Sequence, residues 1–220
     1  MKHNLYFLIP AGLFVMFCGI FLLLFPDKGE AQLALHYALY NETGAYIMRL
    51  ITHWGEAYLI VVIMALGVYH KRYLFSLSFA AGGLLTAVLV QVLKRQIFIA
   101  APRPMSVIPY NETFLEMGQR IPLHFAFPSG HTTTAFMVFT LLALNFKRPA
   151  IQVVCALAAS LVGFSRIYLM IHWITDVLAG ASLGIGIALA VYYAFRKWAH
   201  KKTVTPVSYT HLTLPTILLV

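Results

Sequence analysis

The hydrophobic positions of this chain fall into six long apolar stretches that are separated by shorter polar segments. None of the stretches shows the polar face that a helix on the surface of a soluble protein carries. A helix needs about 20 predominantly apolar residues to cross a bilayer. The pattern therefore predicts six transmembrane helices, approximately Leu5–Phe25, Glu56–Tyr69, Tyr73–Leu93, Thr132–Phe146, Ala150–Leu169 and Val177–Phe195. The second and fourth stretches are short, and their ends are expected to extend into the flanking residues.

The remaining segments predict one membrane domain and a tail. The segment Pro26–His53 is expected to be an outer loop that contains an amphipathic helix near the headgroups. We assign residues 1–202 to a single all-α domain, a six-helix bundle. Residues 203–220 change to Thr, Pro and Leu without helical periodicity. This tail is expected to be unstructured, and its composition is typical of translated vector sequence.

The charges are divided unequally between the two sides that six spans define. The chain has 16 Lys and Arg residues and seven Asp and Glu residues, so its net charge is +9. With alternating sides, the side of the N-terminus holds nine basic and no acidic residues, and the opposite side holds seven of each. Because basic segments stay in the cytoplasm, both termini are expected there. Since the excess charge follows membrane topology, no nucleic-acid partner is expected.

The composition agrees with a membrane protein. Hydrophobic residues make up 60% of the chain and charged residues 10%, and the mean hydropathy is +0.80. A soluble domain carries roughly a quarter charged residues, so this class is excluded. Cys18 and Cys155 lie inside apolar stretches and lack the spacing of metal ligands.

Three polar clusters lie at the ends of the predicted spans, and alternation places all three on the outer side. They are Lys94–Pro104, Pro128–His131 and Ser165–Asp176. Each cluster alone has an ordinary explanation, such as a cation that reaches the headgroups or a serine that caps a helix. Three clusters at one membrane level indicate a functional site instead, because charged residues near the bilayer are costly.

Two of these clusters resemble motifs of the type 2 phosphatidic acid phosphatase superfamily. The three motifs of that family read K-x6-R-P, P-S-G-H and S-R-x5-H-x3-D. The second motif is complete at Pro128–His131, and the third is complete at Ser165–Asp176. The resemblance covers the chain from about the third predicted span to the sixth.

The first motif departs from the family pattern. Eight residues separate Lys94 from Arg103, and Arg95 lies one residue nearer. We prefer Lys94 for the lysine of the motif and expect the non-helical stretch Ile99–Ala101 to absorb the additional residues. Arg103 lies between two prolines, so an extended backbone is expected there.

The resemblance implies how the reacting groups divide the work. His172 would be the nucleophile that forms a phosphohistidine. His131 would be the general acid that protonates the leaving oxygen, and then the base that activates water. Asp176 follows His172 by four residues, a spacing that allows its carboxylate to hold one ring nitrogen and to orient the other toward phosphorus.

The remaining motif residues are expected to bind the substrate phosphate. Lys94, Arg103 and Arg166 offer positive charge, and the two guanidinium groups can make bidentate contacts. Ser129 and the backbone N–H of Gly130 lie at a helix N-terminus, which favours an anion. No cofactor and no metal is therefore expected. Histidines that bind a metal are the alternative, but both arginines would repel a cation.

The expected function is that of a lipid phosphatase in the cytoplasmic (inner) membrane, with its active site facing the periplasm or the cell exterior. Undecaprenyl pyrophosphate, phosphatidylglycerol phosphate, phosphatidic acid and lipid A phosphates all remain open as substrates. A lipid phosphotransferase would use the same catalytic residues, and a vanadate-binding haloperoxidase belongs to a soluble branch. An anion transporter would place its site near the bilayer midplane. The sequence does not predict the oligomeric state.

Overall fold

The computed structural model describes residues 5–108, 123–146 and 148–203, and within these ranges the chain is helical and contains no β-strand. The prediction of an all-α protein is confirmed. A 3-10 turn, His53–Gly55, joins α3 to α4, and a π-helical turn, Leu93–Ile97, extends α5. The helices are α1 Leu5–Leu24, α2 Lys28–Leu39, α3 Glu42–Thr52, α4 Ala57–Tyr69, α5 Tyr73–Val92, α6 Pro104–Val107, α7 Gly130–Asn145, α8 Pro149–Tyr168 and α9 Ile174–Thr203.

In the described part of the chain, four helical segments are long and apolar enough to cross a membrane. They are Tyr6–Leu24, Tyr73–Ile97, Pro149–Tyr168 and Ile174–Ala199. The helices α3 and α4 are bent by 52° at a short break and count as a fifth span if they are taken together. These segments agree with five of the predicted stretches, whereas the count of six and the orientation of the termini remain predictions.

The fourth predicted span is α7, whose 16 residues fall short of a full crossing. A helix of this length extends for about 24 Å, whereas the hydrocarbon core is about 30 Å thick. The helix lies between α5, α8 and α9, and most of its side chains are buried, including Thr132, Thr133 and Thr140. Because protein surrounds α7, its sequence can carry polar groups that lipid would not tolerate.

Two glycines let α9 pack closely against α7. A Cβ on Gly180 would lie 2.8 Å from the carbonyl oxygen of Ser129, and a Cβ on Gly184 would clash with the carbonyl oxygen of Thr133. Small residues at such a contact allow close packing where lipid supplies no hydrophobic driving force between helices. The contact brings the start of α7 against the first turn of α9, where the backbone N–H of Ser129 donates to the carbonyl of Asp176 at 3.0 Å.

The segment Pro26–His53, predicted as an outer loop with one amphipathic helix, contains two helices, α2 and α3. Asp27 begins α2 by accepting hydrogen bonds from the backbone N–H groups of Gly29 and Glu30. Asn41 begins α3 by accepting from the N–H of Gly44 at 2.7 Å. The expected amphipathic helix is present as α3. Of the predicted tail, Thr203 ends α9, and residues 204–220 lie outside the described ranges.

Candidate active site

The predicted second motif forms the start of α7. Ser129 is the N-cap residue, and α7 begins at Gly130, as expected. The Ser129 hydroxyl makes no capping bond to the backbone, and it accepts instead from the Thr132 hydroxyl at 2.9 Å. The first backbone N–H groups of a helix have no partner within that helix, and this attracts an anion. The start of α7 therefore presents donors and the positive end of a helix dipole to the site.

His172 and Asp176 form a buried pair. Nδ1 of His172 lies 3.3 Å from Oδ2 of Asp176, and the side chains are 2% and 4% exposed. The same oxygen accepts from the backbone N–H of Trp173 at 3.0 Å. The expected contact is present, although His172 lies just before α9 and not on one of its turns. Because the carboxylate only accepts, we assign the proton to Nδ1, which leaves Nε2 with its lone pair.

The surroundings of His172 favour the neutral ring. Burial lowers the pKa of His172 well below its usual value of 6.5, and the positive charges of Arg166, Arg103 and Lys94 lower it further. A neutral imidazole is the form that can attack phosphorus.

Arg166 lies near the end of α8 and is buried. Its Nη1 donates to the hydroxyl of Thr52 at 2.7 Å, and its Nε is buried and has no hydrogen-bond partner. Its carbonyl oxygen accepts from the N–H groups of Ile171 and His172, each at 3.1 Å. Arg166 thus holds the backbone of the loop that contains His172, and its Nε is a buried charged donor without a partner.

Arg103 has the extended backbone that its two flanking prolines predict, with φ −85° and ψ 159°. Its Nε donates to the carbonyl of His124 at 3.2 Å, and the Pro102 carbonyl accepts from the indole of Trp173 at 2.7 Å. Burial lowers the pKa of Arg103, whereas the negative charge of Asp176 raises it. These contacts join the first motif to the third.

Lys94 lies on the π-helical turn that follows α5, which the sequence pattern does not predict. The stretch Ile99–Ala101 is non-helical, as expected, so both features separate Lys94 from Arg103. A cavity of about 560 Å³ is lined by both residues and by Gln91, Arg95, Ile99 and Phe125. Lys94 is half-buried and lies within electrostatic range of Arg103, Arg166 and Asp176, whereas Arg95 is exposed.

Three site residues lie outside the motifs. Thr52 accepts from Arg166, and Glu56 lies 4.0 Å from Nε2 of His131 and 2.6 Å from Nδ1 of His53. Gln32 is buried and donates to the carbonyls of Ile167 at 2.8 Å and His172 at 3.4 Å. No local pattern in the sequence marks these residues, because each acts on a segment about 75 residues or more away. The only signal is a polar residue beside an apolar stretch.

The structure thus brings the eight predicted site residues toward one end of the bundle formed by α5, α7, α8 and α9. Two guanidinium groups, an ammonium group and a helix N-terminus surround two histidines, one of which has a carboxylate partner. This arrangement can bind a phosphate group and can attack it with an imidazole. Among the described residues, no group of three or more His, Cys, Asp and Glu side chains is placed to hold a metal ion.

The chain matches the family model of the PAP2 superfamily over residues 73–199, which is more than half of its length. This range contains all three motifs. The chain therefore belongs to the PAP2 superfamily, the family that the motifs indicate.

Among curated proteins, the chain is 31% identical over 156 residues to phosphatidylglycerophosphatase B of Bacillus subtilis, a match that covers 63% of this chain and 69% of that protein. It is also 45% identical over 62 residues to lipid A 1-phosphatase of Porphyromonas gingivalis, but this match covers only 27% of the chain and 14% of that protein. Both relatives are named as lipid phosphatases.

Two solved structures share the fold. One is the transmembrane PAP2-type phosphatidylglycerolphosphate phosphatase of Bacillus subtilis, with a TM-score of 0.55 and 26% identity over 87% of this chain and 97% of that one. The other is LpxE of Aquifex aeolicus, with a TM-score of 0.60 and 24% identity over 72% and 91%. With the apolar helices, the likeness to the Bacillus subtilis structure supports a multi-pass membrane protein, and the family and the curated relatives support a phosphatase.

Proposed function

We propose that this protein is a metal-independent lipid phosphatase that removes a terminal phosphate through a phosphohistidine at His172. The buried pair of His172 and Asp176 beside Arg166 is the observation that carries the proposal. Arg166 keeps its Nε buried without a partner, and such a donor costs free energy unless a ligand accepts its hydrogen bond. A phosphate oxygen is the acceptor that matches this charge.

The reaction would proceed in two steps. In the first, Nε2 of His172 attacks phosphorus and the bond from phosphorus to the lipid oxygen breaks. His131 gives its proton to that oxygen, and the lipid alcohol leaves. In the second step, water attacks the phosphorus of the phosphohistidine while His131 takes a proton from the water. The phosphorus–nitrogen bond breaks, its electron pair returns to Nε2, and inorganic phosphate leaves.

The phosphate-binding groups would stabilise the charge that develops in both steps. Arg103 and Arg166 would hold the oxygens of the phosphate, and Lys94 would add a third positive charge from the cavity side. The hydroxyl of Ser129 and the N–H of Gly130 would supply donors at the start of α7. Because these groups provide the positive charge, the reaction would need no metal ion.

Phosphatidylglycerol phosphate is the substrate that we propose to test first, because the relative matched over most of its length is named for it. The cavity beside Lys94 joins basic side chains to the apolar Ile99 and Phe125, which suits a lipid headgroup at the membrane surface. We further propose six spans, with both termini in the cytoplasm and the site facing the periplasm or the cell exterior. The charge distribution supports this orientation.

The test is phosphate release by purified protein in the presence of a chelator. The panel contains phosphatidylglycerol phosphate, undecaprenyl pyrophosphate, phosphatidic acid and lipid A, and His172→Ala is the inactive control. We expect release that resists the chelator and is lost in the variant, together with acid-labile phosphate bound to the wild-type protein during turnover.

Three outcomes would contradict parts of the proposal. Activity in His172→Ala would show that His172 is not the nucleophile. Inhibition by the chelator would show that the reaction needs a metal ion. Phosphate that appears on an added acceptor lipid instead of in solution would indicate a phosphotransferase.

A further inference from the structure

The segment Thr52–Glu56 runs from the last residue of α3 to the residue before α4 and lies beside the site, and we name it the elbow. It lies outside the three motifs and outside the range that the family model matches. Thr52 accepts a hydrogen bond from Arg166 at 2.7 Å. Gly55 is buried against the start of α7, where a Cβ would come within 2.8 Å of the His131 carbonyl oxygen. The elbow therefore contacts both Arg166 and His131.

Within the elbow, the carboxylate of Glu56 lies between two histidines. Its Oε1 is 2.6 Å from Nδ1 of His53 and 4.0 Å from Nε2 of His131. Glu56 is also the N-cap residue of α4, but its side chain makes no capping bond. Because the carboxylate does not cap its own helix, the hydrogen bond with His53 holds it in place, and this position leaves it 4.0 Å from His131.

The charges around His131 show why a carboxylate matters there. Burial lowers the pKa of His131, and the positive charges of Arg166, Lys94 and Arg103 lower it further, to about 3, which favours the neutral ring. A general acid must hold a proton that it can give away, so it needs a negative partner among these cations. Asp176 already accepts from His172 and Trp173. Within the described ranges, Glu56 is the carboxylate that reaches His131.

We propose that Glu56 is a positioning residue for His131, an inference that rests on the proposed function. Its carboxylate accepts the proton of Nε2, so that Nδ1 faces the leaving oxygen and carries the proton that the first step needs. The distance of 4.0 Å is longer than a hydrogen bond, and such contacts often shorten only when substrate is bound. After the transfer, Nδ1 has a lone pair for the proton of water.

The proposal predicts an effect that depends on the leaving group. An alkoxide is a poor leaving group and needs a proton as the bond breaks, whereas p-nitrophenolate leaves without one. A defect in the general acid therefore slows an alkyl phosphate more than an aryl phosphate. A general loss of structure or of phosphate binding slows both substrates equally.

The experiment measures kcat and KM of the full chain on phosphatidylglycerol phosphate and on p-nitrophenyl phosphate. In Glu56→Gln we expect kcat for the lipid to fall about 10- to 100-fold, part of the 10²- to 10⁴-fold that general acid catalysis contributes. For p-nitrophenyl phosphate we expect a loss below about 3-fold, with KM unchanged. Glu56→Asp should recover part of the lipid rate. The matched control is Glu42→Gln, which removes an exposed carboxylate in the first turn of α3 and should keep both rates.

A second arm uses a variant of the acid itself. In a His131→Asn background, Glu56→Gln should cause no further loss, because the group that Glu56 positions is gone. Equal losses on both substrates, full activity of Glu56→Gln, or an additive loss in the His131→Asn background would each overturn the inference. If any of these three outcomes occurs while the wild-type protein is active and His172→Ala is inactive, the proposed function still stands. A wild-type protein inactive on both substrates would overturn the function and the inference together.

Discussion

The bundle of α7, α8 and α9 buries polar side chains at both of its ends, but the two ends use them differently. The site end contains Ser129, Arg166 and Asp176, whereas at the far end α7 finishes and α8 begins. At the far end, the amide of Gln152 donates to the carbonyl of Ala143 at 3.3 Å, and the amide of Asn145 donates to the carbonyl of Leu141 at 2.8 Å. These bonds are neutral, and each joins a side chain to a helix carbonyl.

At the site end, Arg166 and Asp176 carry charge, and the hydrogen bonds join different helices: Arg166 of α8 donates to Thr52 of α3, and the N–H of Ser129 donates to the carbonyl of Asp176 in α9. Arg166 makes one side-chain hydrogen bond and leaves its Nε without a partner. A buried charge is costly unless it is paired and hydrogen-bonded, so this end is not arranged for stability alone. Gln152 at the far end also leaves its buried Oε1 without a partner, so the two ends differ in charge: the unpartnered group of the far end is neutral, whereas that of Arg166 is cationic and suits an anion.

The largest expected effect is a difference in activity between two variants, each of which lacks one arginine at an opposite end of α8. Arg166→Gln removes a buried guanidinium near the end of α8, and Arg148→Gln removes an exposed one before its start. We expect kcat/KM on the lipid to fall about 10²- to 10³-fold in Arg166→Gln, as when an oxyanion donor is lost. Arg148→Gln should stay within about 2-fold of wild type, because surface substitutions are usually mild.

Steady-state kinetics of both variants in detergent checks this prediction, and their elution in size-exclusion chromatography shows whether they are folded. Equal losses in the two variants would mean that net charge, and not phosphate binding, controls the rate. Retained activity in a folded Arg166→Gln protein would show that Arg166 does not bind the substrate phosphate.

A smaller effect is expected from two buried glutamines, one at each end. Gln32 donates to the carbonyls of Ile167 and His172, and Gln152 donates to the carbonyl of Ala143. Replacement of either by Leu removes hydrogen bonds and should lower the free energy of unfolding by about 1 kcal/mol. Only Gln32→Leu should also lower kcat, by about 10-fold, because a small displacement of His172, the proposed nucleophile, is costly.

Thermal unfolding of the two variants, measured beside kcat, separates stability from catalysis. If Gln152→Leu lowers kcat as much as Gln32→Leu does, the two ends are not functionally distinct. If Gln32→Leu is destabilised but keeps full kcat, the loop of His172 is held by Arg166 alone.

The features that could be predicted are those written in consecutive residues. Apolar length identifies α1, α5, α8 and α9, and the spacing of four residues predicts the contact of His172 with Asp176. Two prolines predict the extended backbone of Arg103. Each of these signals acts over a few residues, so no tertiary packing is needed to recognise it.

The features that could not be predicted depend on packing between distant segments. Thr52 meets Arg166 across 114 positions of sequence because α3 packs against α8. Gln32 meets Ile167 across 135 positions. The length of α7 is also misleading, because a helix enclosed by protein need not span the bilayer alone. Hydropathy therefore predicts the extent of lipid-facing helices better than the extent of α7, which protein surrounds.

The smallest expected effect is a difference between wild type and His172→Gln in how much stability the folded protein loses as the pH falls. Folded His172 has a pKa well below 6.5, mainly because it is buried, so the unfolded chain takes up a proton that the folded protein does not. Stability is therefore present above about pH 6.5 and is lost as the pH falls below it, by up to about 1.4 kcal/mol per pH unit for one group. His172→Gln lacks this loss, and the control His70→Gln, which removes an exposed histidine at the far end, should keep it. Apparent melting temperatures at pH 8 and pH 5.5 give the comparison, and an equal fall in wild type and His172→Gln would show that His172 does not resist protonation when folded.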